Sequence, residues 1–488
     1  MKNHSLVFSL AAIIVFLVGC KGEGEKTDID TLLGPSISHA KTDAFIDQQM
    51  RLLDMPALSI AVINDGKLVY HRVKGMANKA QQLPANSQAI FEAASISKSV
   101  FGHFVMTFVE EGLLDLDTPL YQYLPYPDIA QDERYKKITA RMVLSHRSGF
   151  PNWRDDYPDK QLFIQFEPGS QYHYSGEGYQ YLAKVLKHLL NTDWAGLEKE
   201  FQQRVAQPFG MKHSKFIPDP YIKAHKVQGY DKHGQWVDKY ADPWWASRDT
   251  VFVAPTTLHT EAVDFSKWMI AIMQEQGLTE ESYAQLFAPQ SLVRDGFLSE
   301  DYTLGFSRLS ILGLSELYTH SGNNTGFSSY FALDRDRKWG FVFFTNSKAG
   351  DQFALNLTYD LLLAGTTNKQ LTIIFSLTVA LLLWLFTLPL LFKKTAPLRT
   401  LRRRIFLIGL AATLGIVLQL FLMLWVKNTT LPKLYYVLFL ILLLVVCIRT
   451  LFLWPLPSDE SIATKIESVV LKILLVSLCL SSIALALI

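Results

Sequence analysis

The apolar residues of this 488-residue chain fall into three patterns. At the start, Leu6–Val18 is an apolar run of 13 residues with one serine, preceded by Lys2. It is too short to cross a bilayer comfortably and fits the core of an export signal. At the other end the composition changes at Leu371. Residues 371–392 and 405–426 are each 22 residues without a charge, 431–448 is a shorter apolar stretch, and 469–488 is apolar apart from Lys472 and three serines. About 20 apolar residues cross the hydrocarbon core. The tail therefore predicts three or four transmembrane helices, with four the preferred reading.

The third pattern lies between these ends. Residues 38–54 place Ala44, Phe45, Ile46, Met50, Leu52 and Leu53 at helical spacing. The stretch LSIAVINDGKLVYHRVKG follows, two β-branched runs flanking Asp65-Gly66, and predicts a hairpin. FSSYFALDRDRKWGFVFFTN predicts a second hairpin with its turn at Asp334–Lys338, followed by a helix over about 352–364. Helix–hairpin at the start and hairpin–helix at the end predict one antiparallel sheet built from both ends of the segment. Residues 95–290, richer in helices and loops, would be a subdomain inserted into that frame. This is an α+β arrangement, an antiparallel sheet flanked by helices with an inserted helical subdomain. The domain boundaries that follow are 1–19 for the signal, 20–37 for a tether, 38–366 for the folded domain and 371–488 for the membrane domain.

Charge sharpens this division. The formal net charge is +2, but residues 371–488 hold 11 Lys+Arg against 3 Asp+Glu, while residues 1–370 hold 36 against 42. Lys393, Lys394, Arg399, Arg402, Arg403 and Arg404 crowd the loop between the first two spans. By the positive-inside rule that loop is cytoplasmic and the folded domain lies outside, on the cell membrane. No Asp or Glu lies within a span, which favours an anchor over an ion path. The slightly acidic polar part excludes nucleic-acid binding by charge, and 49% hydrophobic residues exclude disorder. The cysteines are Cys20, Cys447 and Cys479, so the folded domain has neither a disulfide nor a thiolate metal site. Leu17-Val18-Gly19-Cys20 resembles the bacterial lipobox. That resemblance implies a lipid on Cys20 and makes membrane lipid a partner.

Four stretches carry candidate chemistry. Ser95-Ile96-Ser97-Lys98 sets a hydroxyl and an amine three residues apart, on one face of a helical turn. A serine needs a nearby base to act as nucleophile, and a lysine serves if burial lowers its pKa. Ser95 also stands where an apolar helix begins, a place that favours developing negative charge. Tyr174-Ser175-Gly176 offers a phenol that a lysine ammonium would shift toward phenolate. His320-Ser321-Gly322 enters the last hairpin. His146, in ITARMVLSHRSGF, reads as structural. Trp244-Trp245 either lines a cleft or packs a loop, the latter being the commoner fate. No metal-ligand spacing, P-loop, dinucleotide fingerprint or G-x-S-x-G elbow is present, and no cofactor is implied.

Taken in order, six stretches resemble the serine β-lactamase and penicillin-binding-protein superfamily, in its class C β-lactamase and D-alanyl-D-alanine carboxypeptidase-like branch. They are S-x-x-K at Ser95–Lys98, LDLDTPLYQYLP at 114–125, ITARMVLSHRSG at 138–149, the Tyr174–Tyr179 stretch, TTLHTEAVDFSKWM at 256–269 and His320-Ser321-Gly322. The resemblance implies that Ser95 is the acylated nucleophile, Lys98 its activator and Tyr174 the base. It implies that the Ser95 and Asn323 N–H groups bind the oxyanion, with Ser321 and Gly322 beside them, and that His320 stands where the family carries a lysine. Two departures follow. Gly176 replaces an asparagine that would bind a substrate amide, and His320 is mostly neutral near pH 7. The implied activity is acyl transfer to Ser95 from a small peptide, amide or ester, with a cell-wall peptide as one source. A non-catalytic ligand-binding member and a true class C-type β-lactamase are the alternatives.

Overall fold

A computed structural model describes residues 28–295, 298–311 and 315–363. Cys20 and the four apolar stretches of the tail lie outside these residues. Among the described residues no helix is long and apolar enough to cross a membrane. Contacts divide the chain into two units at Gly365–Thr366, and the described residues lie in the first.

Nine strands form its main sheet: β1 (Ala57–Asn64), β2 (Lys67–Asn78), β3 (Leu83–Pro84), β4 (Ser291–Arg294), β5 (Leu298–Tyr302), β6 (Ser307–Ile311), β7 (Ser315–Asn324), β8 (Phe327–Asp334) and β9 (Trp339–Thr345). The order is β3-β2-β1-β9-β8-β7-β6-β5-β4, and every pairing is antiparallel. Both predicted hairpins form, as β1–β2 and β8–β9. At the first turn Asp65 and Gly66 both have positive φ, 49° and 68°, the twist that suits a two-residue hairpin. The two hairpins join through β1 and β9, so the ends of the domain share one sheet as the pattern predicts.

Every residue of β1 and β9 is buried. Alternation assigns them to two cores. Ile60, Val62, Phe341 and Phe343 face helices His39–Leu52 and Gly350–Leu363, through Ile46, Met50, Phe353 and Leu357. Ala61, Ile63, Val342 and Phe344 face the larger core, which holds helices Ser97–Glu110 and Ala262–Met273 and the inserted subdomain. Each buried large apolar side chain contributes about 1.5–3 kcal/mol relative to exposure. A strand covered on both faces therefore reads as a continuous apolar run. The strands over 291–324 go beyond the sequence reading, because their apolar content is mixed with charge. His320, expected at the entry to a hairpin, lies well inside β7.

The sheet meets the inserted subdomain where β7 passes the start of helix Ser97–Glu110. A Cβ on Gly322 would come within 2.3 Å of Ser329 Oγ, 2.5 Å of Ala93 O and 3.0 Å of Ser95 N. Only a residue without a side chain lets the strand approach this turn. Gly322→Ala is expected to cost about 1–3 kcal/mol, the usual range for overpacking. Thermal unfolding of the variant against wild type checks it, with the midpoint expected to fall by several degrees.

Candidate active site

Ser95 sits in a single 3₁₀ turn, Ala94–Ile96, that leads into helix Ser97–Glu110. The turn is tight. Ala94 has φ of +50°, a left-handed conformation that costs an L-residue roughly 1–2 kcal/mol. Its neighbours hold it there. Ala93 N–H donates to Leu258 O at 2.8 Å, Ser329 Oγ donates to Ala93 O at 2.6 Å, and Ser97 Oγ donates to Ala94 O at 2.5 Å.

One turn later Lys98 is 1% exposed. Its Nζ lies 3.4 Å from Ser95 Oγ and donates to Pro255 O at 3.1 Å. The Tyr174 and Tyr179 rings wall it, with centroids 4.5 and 5.7 Å from Nζ. Among the described residues no carboxylate pairs with it. Burial therefore drives the amine well below the ordinary lysine range, since an unpaired buried ammonium loses its hydration.

Tyr174 lies two residues before helix Gly176–Leu189. Ser175 caps that helix, accepting from Gly178 N at 3.1 Å and donating to Pro151 O at 2.8 Å. His146 packs against Tyr174 with ring centroids 4.2 Å apart, and its Nδ1 accepts the Ser175 N–H at 3.0 Å. The structural reading of His146 stands, and what it supports is the tyrosine. Burial raises the Tyr174 pKa, and a hydrogen bond with Ser95 only partly offsets this. This runs against the sequence expectation of a phenolate held by a lysine ammonium. Lys98 lies over the ring face, and its own charge is suppressed.

His320 is buried, and its Nδ1–H donates to Ser321 O at 2.6 Å. Burial lowers its pKa to about 3, so it is neutral at physiological pH. Its ring lies 6.1 Å from Tyr174. Ser321 and Asn323 are exposed on the same strand. The Asn323 side chain turns to Asp351 and Ser328, at 3.1 and 3.0 Å. The structure thus gathers Ser95, Lys98, Tyr174, His320, Gly322 and Asn323 in one place.

A cavity of about 230 Å³ opens over Ser95 and Lys98. Trp244 and Trp245 line it, the less expected of their two readings. Asn152, Trp153, Asn324 and Lys348 line it too, and these the sequence reasoning missed. They come from loops or strand ends without a periodic signal. Asn152 and Trp153 explain Gly176. A Cβ there would strike the Trp153 ring at 2.7 Å, while Asn152 Oδ1 accepts the Gly176 N–H at 3.1 Å. A side chain at position 176 would have to displace the Trp153 ring, and the amide at this edge of the cavity is that of Asn152.

The neutral state of His320 has a spectroscopic consequence. A histidine whose folded pKa lies below its unfolded value adds stability above pH of about 6.5, and loses it as pH falls toward 3. In proton NMR, the His320 and His146 ring signals, assigned by His→Asn variants, should show no titration between pH 5 and 8. A midpoint near 6.5 for either would contradict the buried, neutral site.

Comparison with known proteins agrees with the fold. Protein flp of Staphylococcus aureus is 20% identical over 331 residues, 63% of this chain and 63% of that protein. The chain thus spans less than two thirds of that relative's length. A "Beta-lactamase" of Pseudomonas fluorescens is 28% identical over 204 residues, 40% of this chain and 55% of that protein. Among solved structures, the D-alanine carboxypeptidase AmpC of Burkholderia cenocepacia aligns with a TM-score of 0.55 and 19% identity, covering 66% of this chain and 97% of that one. At that identity the likeness is one of fold. The family model described as Beta-lactamase matches residues 42–366, the described domain almost end to end. The chain belongs to the β-lactamase family.

Proposed function

We propose that the protein is a serine hydrolase acting through an acyl-enzyme on a peptide, amide or ester. The observation that carries this reading is the buried, unpaired Lys98 amine 3.4 Å from Ser95 Oγ. Ser95 Oγ attacks the substrate carbonyl carbon, and Lys98 Nζ takes the hydroxyl proton as general base. The carbonyl oxygen becomes an oxyanion, bound by the N–H groups of Ser95 and Asn323. The close passage of Gly322 beside Ser95 N supports that pairing. Collapse expels the leaving group, which receives the proton from Lys98 or through the Tyr174 hydroxyl. Water then repeats the sequence on the Ser95 ester, releasing the acid and restoring the hydroxyl. Tyr174, protonated at rest, fits a proton-relay role better than that of the resting base.

The sequence outside the described residues supports a location. An export signal ending at Cys20 and charge-poor apolar stretches after Leu371 favour a protein tethered to the cell membrane, with this domain outside the cytoplasm.

The substrate reading follows from charge. His320 is neutral, so the exposed cation lining the cavity among the described residues is Lys348. It suits a carboxylate-bearing peptide, with Asn152 facing a substrate amide. Lys348→Ala should raise KM for a carboxylate-terminated D-Ala-D-Ala peptide about fivefold, roughly 1 kcal/mol, and leave a neutral short ester within about twofold. Equal effects on both would remove this reading of Lys348.

The primary test is covalent. Residues 21–370 treated with a fluorophosphonate or a labelled penicillin should label, and Ser95→Ala should abolish labelling. Lys98→Met should slow acylation by about 10²–10⁴-fold, the usual worth of a general base. A wild-type protein that takes no label where a related hydrolase does would overturn the assignment.

A further inference from the structure

One buried carboxylate takes no part in the chemistry above. Glu92 is 1% exposed and lies three residues before Ser95, on a short strand, Phe91–Glu92, paired with His259–Thr260. Lys226 Nζ and Lys239 Nζ both reach its Oε1, each at 2.5 Å. Asn324 Nδ2 donates to its Oε2 at 2.7 Å, and to Thr256 O at 3.2 Å. Burial alone would raise its pKa, but the two ammonium groups outweigh that and hold the carboxylate ionised. For packing alone, apolar residues of similar volume would serve as well or better. The value of this cluster therefore lies in what it ties together.

Each arm leads to the cavity. Asn324 follows Asn323 on β7, so its bond to Glu92 fixes the end of the strand that carries the proposed oxyanion donor. Thr256, its other acceptor, follows Pro255, whose carbonyl holds Lys98. Lys239 lies 4.0 Å from the centroid of the Trp245 ring, which lines the cavity. Lys226 donates to Tyr240 Oη at 3.2 Å, in the same segment as Lys239. One carboxylate thus joins the approach to the nucleophile turn, the strand end beside it and the aromatic wall. These segments are far apart in sequence.

We propose that Glu92 is a positioning residue, acting on catalysis through Asn324 and on substrate binding through Lys239 and Trp245. The inference rests on the serine-hydrolase reading and divides into two arms that separate in kinetics. Asn324→Ala leaves the ion cluster intact. It should slow Ser95 acylation at least tenfold, with KM for a neutral ester within about twofold. Lys239→Met leaves Glu92 paired one-to-one with Lys226. It should raise KM severalfold and shift tryptophan emission, with kcat falling less than about threefold. Glu92→Gln should combine both effects; if it does not fold, the two milder variants carry the test. Thermal midpoints confirm that the compared proteins are folded. Folded Asn324→Ala acylating at the wild-type rate, or Lys239→Met with wild-type KM and emission, would overturn the proposal. Absence of Ser95-dependent labelling in the wild type would overturn the hydrolase reading, and this proposal with it.

Discussion

Keeping one amine dry beside one hydroxyl is the constraint on which the site depends. An isolated ammonium in the interior costs several kcal/mol, and a lysine so placed responds by giving up its proton. Lys98 is buried behind two tyrosine rings and bonded to a single carbonyl. A carboxylate within reach would restore the charge. The buried carboxylate of Glu92 is instead bound to Lys226 and Lys239, so ionic and neutral chemistry occupy separate compartments of one interior.

That separation needs rigid walls, and the fold supplies them from distant parts of the chain. Ser95 and Lys98 come from a 3₁₀ turn and the start of the buried helix after it, Tyr174 from the residue before a helix cap, Pro255 from a loop, and His320 to Asn324 from a strand of the main sheet. Several short hydrogen bonds hold Ala94 in a left-handed conformation at the centre of this convergence. Strain at a functional turn persists only when its surroundings over-determine it. The absence of a side chain on Gly322 allows the sheet to come close enough to do so.

The two departures from the family pattern become intelligible at this level. At Gly176 the Trp153 ring occupies the space a side chain would need. The Asn152 amide lies beside it and lines the cavity. His320 is held neutral by burial, so it brings no positive charge to the site.

Much of this was legible in the amino-acid order. Runs of β-branched and aromatic residues flanking Asp65-Gly66 and Asp334–Lys338 specify two hairpins, because such residues suit a pleated strand and the polar residues between them suit a turn. The spacing of Ser95 and Lys98 specifies a shared helical face. What local pattern could not carry is anything set by burial. The strands over 291–324 contain too many charges to read as a sheet. The direction of the Tyr174 shift reversed because desolvation outweighs a lysine whose own charge is suppressed. Asn152, Lys348 and Glu92 have no motif to mark them. Sequence alone determined which groups are available and which share an element. Tertiary structure decided which of them are dry, because desolvation depends on every neighbour in space and the neighbours of Lys98 and Glu92 come from across the whole domain.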